Sequence, residues 1–146
     1  YTVIGDGVDI SSRLEGLTKL YGTTSAHGCD IILSEFTYQL CGDRIQAREL
    51  DHIRVKSKTR PIKIYELLGD RTLKLDDQTQ EFLDVYHRGR RAYQARDFAR
   101  AIEYFEQSHQ LCANDRASLT HLERSHRYLM DPPSKDWDGV YSLTTK

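Results

Sequence analysis

The sequence lacks several features that would assign it to a protein class directly. Its formal net charge is only -1, so it has no basic footprint for nucleic acid. No apolar run reaches the length of a membrane-spanning helix, and we expect no membrane contact within these residues. The three cysteines, Cys29, Cys41 and Cys112, are odd in number and lack metal-ligand spacing. They fit a reducing compartment, and we expect a cytoplasmic protein.

A metal site within the chain is also not predicted. His27, Cys29 and Asp30 lie close together in a small, polar stretch that we expect to be a loop. No partner cluster elsewhere completes a ligand set for them. We therefore predict no metal ligands among these residues.

The composition that remains is that of a globular protein. Of the 146 residues, 38% are hydrophobic and 29% charged, which suits one or two small units. Residues 1–69 mix strand and helix patterns, 70–80 are polar and predicted to be a linker, 81–130 are helical in pattern, and 131–146 form an extended tail. The chain begins at Tyr1, within a predicted strand, and we expect it to be part of a longer protein.

The first stretch, Tyr1–Lys19, predicts a strand, a tight turn and a helix. The turn contains Gly5 and Gly7, and the helix would end before Gly22. Asp9 and Arg13 lie four residues apart near the helix start, on one face. The spacing leaves two interpretations open: a local ion pair worth a few tenths of a kcal/mol, or a site beside free N–H groups that face an anion.

Residues 31–69 predict a strand, a short helix and a strand pair. Ser34 is a plausible N-cap of the helix and Gly42 its C-terminal stop. The period-two pattern that follows places Ile45 and Ala47 on one face and changes register near Glu49. This hairpin is rich in basic residues. They could form a charged edge that discourages aggregation, or they could belong to a functional site. They are Arg54, Lys56, Lys58, Arg60 and Lys63.

The run Tyr1–Glu15 resembles a motif of class III adenylate and guanylate cyclases, which reads roughly G-[DN]-x-V-N-x-A-[SA]-R. The resemblance resumes in Ile31–Tyr38 and in Arg48–Leu68. It implies that residues 1–69 are the C-terminal half of a cyclase catalytic domain. The fold expected from it is α+β and related to the ferredoxin-like fold.

The resemblance also implies roles for four residues in the conversion of ATP to cyclic AMP and pyrophosphate. Arg13 corresponds to the arginine that stabilises the α-phosphate in the transition state. Lys56 matches the lysine that reaches the triphosphate. Thr2 lies where the purine is read, and threonine there is typical of adenylate cyclases. Asp9 lies where relatives carry the asparagine that orients the ribose.

The chain departs from the family pattern in ways that affect these expectations. Asp9 is acceptor-only when ionised, whereas an asparagine can also donate. The family's two aspartates that bind Mg²⁺ or Mn²⁺ lie in the N-terminal half, outside these residues, so we expect the chain alone to be inactive. Complete family members work as head-to-tail dimers. The alternative is a catalytically degenerate remnant that acts as a protein-interaction module.

The helical part resembles a single tetratricopeptide repeat over Tyr86–Phe105. Its small and aromatic positions are occupied by Gly89, Phe98, Ala101 and Phe105. A third helix would pack through Leu119, Leu122, His126 and Leu129. One repeat is fewer than an independent solenoid needs. We therefore expect the segment to pack against the cyclase core or against a protein partner.

The tail contains two large anchors, Trp137 and Tyr141. It begins with the pair Pro132-Pro133, which stops a helix. This ending resembles the segment that follows the cyclase domain in bacterial, notably cyanobacterial, proteins. The sequence predicts no chemistry for it.

Overall fold

The computed structural model divides the protein into two compact units. It describes residues 2–4, 17–21, 31–55 and 60–143. One unit, the sheet unit, comprises residues 1–74 and 140–146, and the other, the helical unit, comprises residues 75–139. The combination of a mostly antiparallel sheet and a separate group of helices confirms the predicted α+β class.

The sheet unit contains a five-stranded sheet among the described residues, in the order β1-β2-β4-β3-β5. Its strands are β1 (Thr2–Ile4), β2 (Ile31–Ser34), β3 (Ile45–Arg54), β4 (Ile62–Asp70) and β5 (Tyr141–Ser142). The pairs β1–β2 and β3–β5 are parallel, whereas β2–β4 and β3–β4 are antiparallel. The predicted strand pair is therefore β3 and β4.

Among its described residues, the sheet unit contains two α-helices. The first, α1 (Leu17–Tyr21), buries Leu17 and Tyr21, two of the predicted apolar positions. The second, α2 (Glu35–Cys41), begins and ends as predicted. Ser34 accepts a hydrogen bond from the N–H of Thr37, and Gly42 ends the helix at φ +58°.

The buried face of β3 differs from the prediction in its first half. A predicted register change does occur between Glu49 and Asp51, but a second one lies between Gln46 and Ala47. Ile45 and Ala47 are only half-buried, and Arg48 is the buried side chain there, at 1% exposure. The extra bulge rotates the strand so that a charged residue enters the interior.

Three helices make up the helical unit: α3 (Asp77–Gln94), α4 (Phe98–Leu111) and α5 (Arg116–Met130). Each is preceded by an N-cap aspartate whose carboxylate accepts a backbone N–H: Asp76, Asp97 and Asp115. The helix α3 therefore begins within the stretch 70–80 that was expected to be a linker. Strand β4 also runs through Asp70, and residues 140–146 of the expected tail belong to the sheet unit.

The α3 and α4 helices approach closely at Gly89. A Cβ added there would lie 2.8 Å from Cε1 of Phe105, which is fully buried. Phe105 also contacts the ring of Tyr86 at 5.6 Å between centroids. A side chain at position 89 would therefore overlap the Phe105 ring unless that ring shifted.

The predicted face of α5 is wrong. Leu119 and Leu122 are half-buried, and His126 and Leu129 are exposed. The helix instead buries a largely polar set: Ala117, Ser118, Thr120, His121, Arg124 and Ser125. Two members of this set form hydrogen bonds in the interior. Ser118 Oγ lies 2.7 Å from Ser108 Oγ, and His121 Nδ1 lies 3.0 Å from the carbonyl oxygen of Ala117.

No helix among residues 17–21, 31–55 and 60–143 is both long and apolar enough to cross a membrane. The longest of these helices, α3, has 18 residues and is rich in charged side chains.

Candidate functional site

Of the four residues to which the resemblance assigns a role, the structure describes one. Thr2 lies in β1, where it pairs with Ile31. Asp9, Arg13 and Lys56 lie outside the described residues. Their roles therefore remain predictions, but the strands that lead into them are described.

The strand topology places the ends of β1 and β3 at the same end of the sheet. These strands lead into the segments that carry Arg13 and Lys56. Ile4, the last residue of β1, pairs with Leu33, which pairs with Tyr65 of β4, which in turn pairs with Glu49 of β3. Because β1 and β3 both run antiparallel to β4, they end in the same direction. The chain leaves β1 toward Asp9 and Arg13, and it leaves β3 at Arg54 toward Lys56.

A buried hydrogen bond joins α1 to β3 within this unit. The hydroxyl of Tyr21 donates to Oδ2 of Asp51 at 2.5 Å, and both residues are fully buried. The other oxygen of Asp51 accepts from the N–H of His52 at 2.8 Å. A charge-assisted bond in a water-free interior is strong, so it fixes the helix that follows Arg13 in sequence onto the strand that precedes Lys56.

A buried ion pair holds β3 to β4. Oε1 of Glu66 accepts from Nε and Nη2 of Arg48, both at 3.0 Å. The two residues are directly opposite in the register, and their side chains are 1% and 0% exposed. The guanidinium presents several donors on one rigid plane, which favours this geometry over that of a lysine.

The other face of the two strands carries a tyrosine pair. Tyr38 of α2 stacks on Tyr65 of β4 with ring centroids 3.9 Å apart. Burial, followed by the negative charge of Glu49, raises the pKa of the Tyr65 hydroxyl to about 12. The Tyr65 hydroxyl is protonated at neutral pH with or without this shift, and its ring packs on Tyr38.

The described residues do not form a metal site. No group of three or more His, Cys, Asp or Glu side chains among them could hold a metal ion. The two buried carboxylates of the sheet are already engaged, Asp51 with Tyr21 and Glu66 with Arg48. Mg²⁺ prefers carboxylate ligands that are open to it. The described residues therefore offer no carboxylate set for Mg²⁺, and the resemblance places the metal ligands outside this chain.

Sequence reasoning missed the buried polar residues of the sheet. Arg48, Asp51 and Glu66 were all assigned to strands, but none was expected in the interior. A signal was available for Glu66, because it alternates with Ile64 and Leu68, which share its face. Asp51 had no such signal, since the bulge before it changes the alternation.

Comparison with known proteins gives three relatives with consistent names. The chain is 41% identical over 69 residues to the adenylate cyclase of Anabaena cylindrica, a match that covers 45% of the chain. It is 35% identical over 69 residues to adenylate cyclase 1 of Rhizobium meliloti, covering 47% of the chain. The chain is related to adenylate cyclases. No family model matches it, and no solved structure does.

One relative extends the similarity beyond the sheet unit. The chain is 27% identical over 126 residues to the terminal-differentiation specific adenylate cyclase of Dictyostelium discoideum. That match covers 84% of the chain, more than the sheet unit contains, so it includes part of the helical unit. The chain spans only 6 to 12% of the length of these three relatives.

Proposed function

We propose that the chain is part of an adenylate cyclase that converts ATP to cyclic AMP and pyrophosphate in intracellular signalling. The observation that carries the proposal is the similarity to three proteins named adenylate cyclase, one of which matches most of the chain. The strand topology supports it, because the segments that carry Arg13 and Lys56 leave the sheet at the same end.

In this proposal the chain supplies positive charge to the transferring phosphoryl group. Arg13 stabilises the α-phosphate as charge develops on it, and Lys56 holds the triphosphate. Thr2 accepts a hydrogen bond from the adenine amino group and so favours ATP over GTP. Asp9 lies beside the ribose. The metal ligands come from residues outside this chain, and the complete protein acts as a head-to-tail homodimer.

A second function follows from the helical unit. The close contact between Gly89 and Phe105 is what the resemblance to a tetratricopeptide repeat predicts for two packed helices. Such a hairpin suits binding to a protein partner. A degenerate cyclase domain with Asp9 in place of asparagine would then serve as an interaction module.

Mutation of Arg13 tests the proposal in a longer protein that contains this chain and the metal-binding half of the domain. Arg13→Ala should lower kcat by roughly a hundredfold to a thousandfold with little change in KM, as for a contact made mainly in the transition state. Arg44→Ala is the matched control, because Arg44 is exposed and its guanidinium donates to the nearby carbonyls of Leu40 and Cys41. A loss of kcat below about threefold in Arg13→Ala would mean that Arg13 forms only a local ion pair on its helix.

A further inference from the structure

The three helices of the helical unit converge on a group of aromatic side chains, which we call the aromatic pocket. It consists of Tyr93 of α3, Phe98 of α4 and Tyr128 of α5. The ring centroids lie 5.9 Å apart for Tyr93 and Phe98, 6.0 Å for Tyr93 and Tyr128, and 5.3 Å for Phe98 and Tyr128. Because each ring packs on the other two, the helices themselves define the pocket, which suits it to receive a further aromatic ring.

The chain's own residues 133–137 occupy the aromatic pocket. The ring of Trp137 contacts all three rings of the pocket at centroid distances of 5.4, 5.7 and 5.5 Å, yet it is only half-buried. The backbone N–H of Trp137 donates to the carbonyl oxygen of Ser134 at 3.0 Å. This hydrogen bond closes a turn directly after the proline pair, and the turn presents the indole to the pocket. The bound segment is therefore a local motif of a proline, a turn and a tryptophan.

Arg96, in the turn between α3 and α4, binds the backbone of this motif. Its Nη1 donates to the carbonyl oxygen of Ser134 at 2.9 Å, and its Nη2 donates to that of Pro133 at 2.7 Å. Its guanidinium carbon lies 5.7 Å from the centre of the Trp137 ring, a cation–π distance. Arg96 has φ +66°, a left-handed conformation that favours glycine. Glycine could make none of these contacts, so an arginine in this conformation indicates a binding role.

We propose that the aromatic pocket and Arg96 form a recognition site for a peptide with a proline, a turn and a tryptophan. Residues 133–137 fill the site in this chain, and a partner protein with a segment of the same chemistry displaces them. Aromatic grooves that bind proline-containing segments are a recurrent mode of peptide recognition. A proline restricts its backbone before binding, so less conformational freedom is lost when Arg96 binds the two carbonyl oxygens.

The chemistry of the bound segment assigns the specificity to the tryptophan. Arg96 contacts only backbone carbonyl oxygens, which any sequence offers, whereas the pocket contacts an indole ring. Lys135 and Asp136, at the tip of the turn, are exposed and can vary. The inference rests on the proposed role of the helical unit in binding a protein partner, and it requires no cyclase activity.

A synthetic peptide with the sequence of residues 131–139 tests the site in the 146-residue protein. Trp137 is the only tryptophan of the chain, so the peptide supplies all tryptophan emission when it is mixed with Trp137→Ala. That emission should shift to shorter wavelength as the ring enters the pocket, and binding should saturate. Anisotropy of a labelled peptide should show at least about tenfold weaker binding to the wild type, because its own segment competes at a high effective concentration. Circular dichroism confirms folding, and Trp137→Phe serves in the same assay if Trp137→Ala does not fold.

Matched variants separate recognition from non-specific binding. In the Trp137→Ala protein, Arg96→Ala should weaken peptide binding at least about tenfold, because both donors to the carbonyl oxygens are lost. Arg88→Ala is the control, since Arg88 is exposed and pairs with Asp84 on α3. Within the peptide, replacing the tryptophan with alanine should abolish binding, whereas Lys135→Ala should not change it.

Three results would overturn the proposal. The first is no peptide binding to a folded variant at concentrations up to about 1 mM, and the second is binding that Arg96→Ala leaves unchanged. The third is a concentration-dependent dimer of the wild type that Trp137→Ala abolishes, which would assign the pocket to a second copy of the chain. None of these results depends on cyclic AMP formation, so they are distinct from a failure of the cyclase proposal.

Discussion

Replacing Glu66 with glutamine should lower the free energy of unfolding of the sheet unit by about 3 kcal/mol. Glu66 and Arg48 form the buried ion pair between β4 and β3, with side chains 0% and 1% exposed. The variant keeps the shape of the side chain and one acceptor, but it leaves the guanidinium charge in the interior without its carboxylate.

The magnitude follows from burial. Removing one partner of a buried pair costs about 3 to 5 kcal/mol, mostly because the remaining charge is uncompensated. Glutamine can keep an oxygen at the position of Oε1, which accepts from both donors, so the expected loss lies at the lower end of this range. With a urea m-value of about 2 kcal/mol/M, a loss of about 3 kcal/mol moves the unfolding midpoint by about 1.5 M.

The same two strands offer a matched control. Glu49 lies 3.7 Å from the ammonium nitrogen of Lys63, with side chains 27% and 42% exposed. Glu49→Gln makes the same chemical change on the opposite face, where water screens the pair, and should cost at most about 1 kcal/mol. Burial is then the main difference between the two variants.

Urea unfolding followed by far-ultraviolet circular dichroism and by hydrogen exchange of β4 measures both variants. Fluorescence of Trp137 reports the helical unit separately, because it is the only tryptophan of the chain and lies in that unit. A second variant, Arg48→Met with Glu66→Leu, should recover most of the stability by replacing the pair with apolar groups. Equal losses in Glu66→Gln and Glu49→Gln would refute the reasoning.

Three further variants test packing and electrostatics. Gly89→Ala should destabilise the helical unit by about 1 to 2 kcal/mol despite the higher helix propensity of alanine, because the new Cβ would overlap Phe105; a shift of the Trp137 unfolding curve to higher urea would contradict this. Tyr21→Phe should cost the sheet unit about 1 to 3 kcal/mol in urea unfolding, since Asp51 loses its buried donor; no loss would contradict it. The raised pKa of Tyr65 means that the folded state holds its proton above pH 10, so stability should fall as the pH rises from 10 toward 12, and less in Tyr65→Phe; identical pH profiles would contradict it.

The features that could be predicted from the sequence depend on neighbours along the chain. Ser34 and Gly42 mark the ends of α2 because a hydroxyl cap and a left-handed glycine act within a few residues. The register change near Glu49 was predicted because it interrupts an alternation that can be read locally. Gly89 and Phe105 were singled out only by the resemblance to a tetratricopeptide repeat, and the local helical pattern alone does not indicate their contact.

The features that could not be predicted depend on contacts between distant segments. The face of α5 was predicted from its leucines, but the helix instead buries His121. A hydrogen bond to the carbonyl oxygen of Ala117 stabilises this polar side chain in the interior. Strand β5 joins the sheet 88 residues after Arg54, which no local pattern indicates. For the candidate site, Arg13 and Lys56 came from the family resemblance, and the topology adds only that their segments leave the sheet at one end.

Asp9 separates the two proposed functions most directly. If it lies beside the ribose and the phosphates, its negative charge opposes the binding of ATP, and its side chain offers no donor. Asp9→Asn in the longer protein should therefore raise kcat/KM for ATP. A screened charge term of about 1 kcal/mol gives roughly a fivefold effect, and a regained hydrogen bond adds a similar factor.

The helix should survive this change, because the helix propensities of aspartate and asparagine are close and a local pair with Arg13 contributes only a few tenths of a kcal/mol. Circular dichroism of both proteins provides that control, and cyclic AMP formation is the readout. An active wild type that is slowed by Asp9→Asn would mean that the carboxylate itself assists the reaction. Two folded, dimeric and inactive proteins with the metal-binding aspartates present would reject the cyclase proposal. The helical unit would then be the functional part, since a protein partner for α3 and α4 requires no chemistry at Asp9.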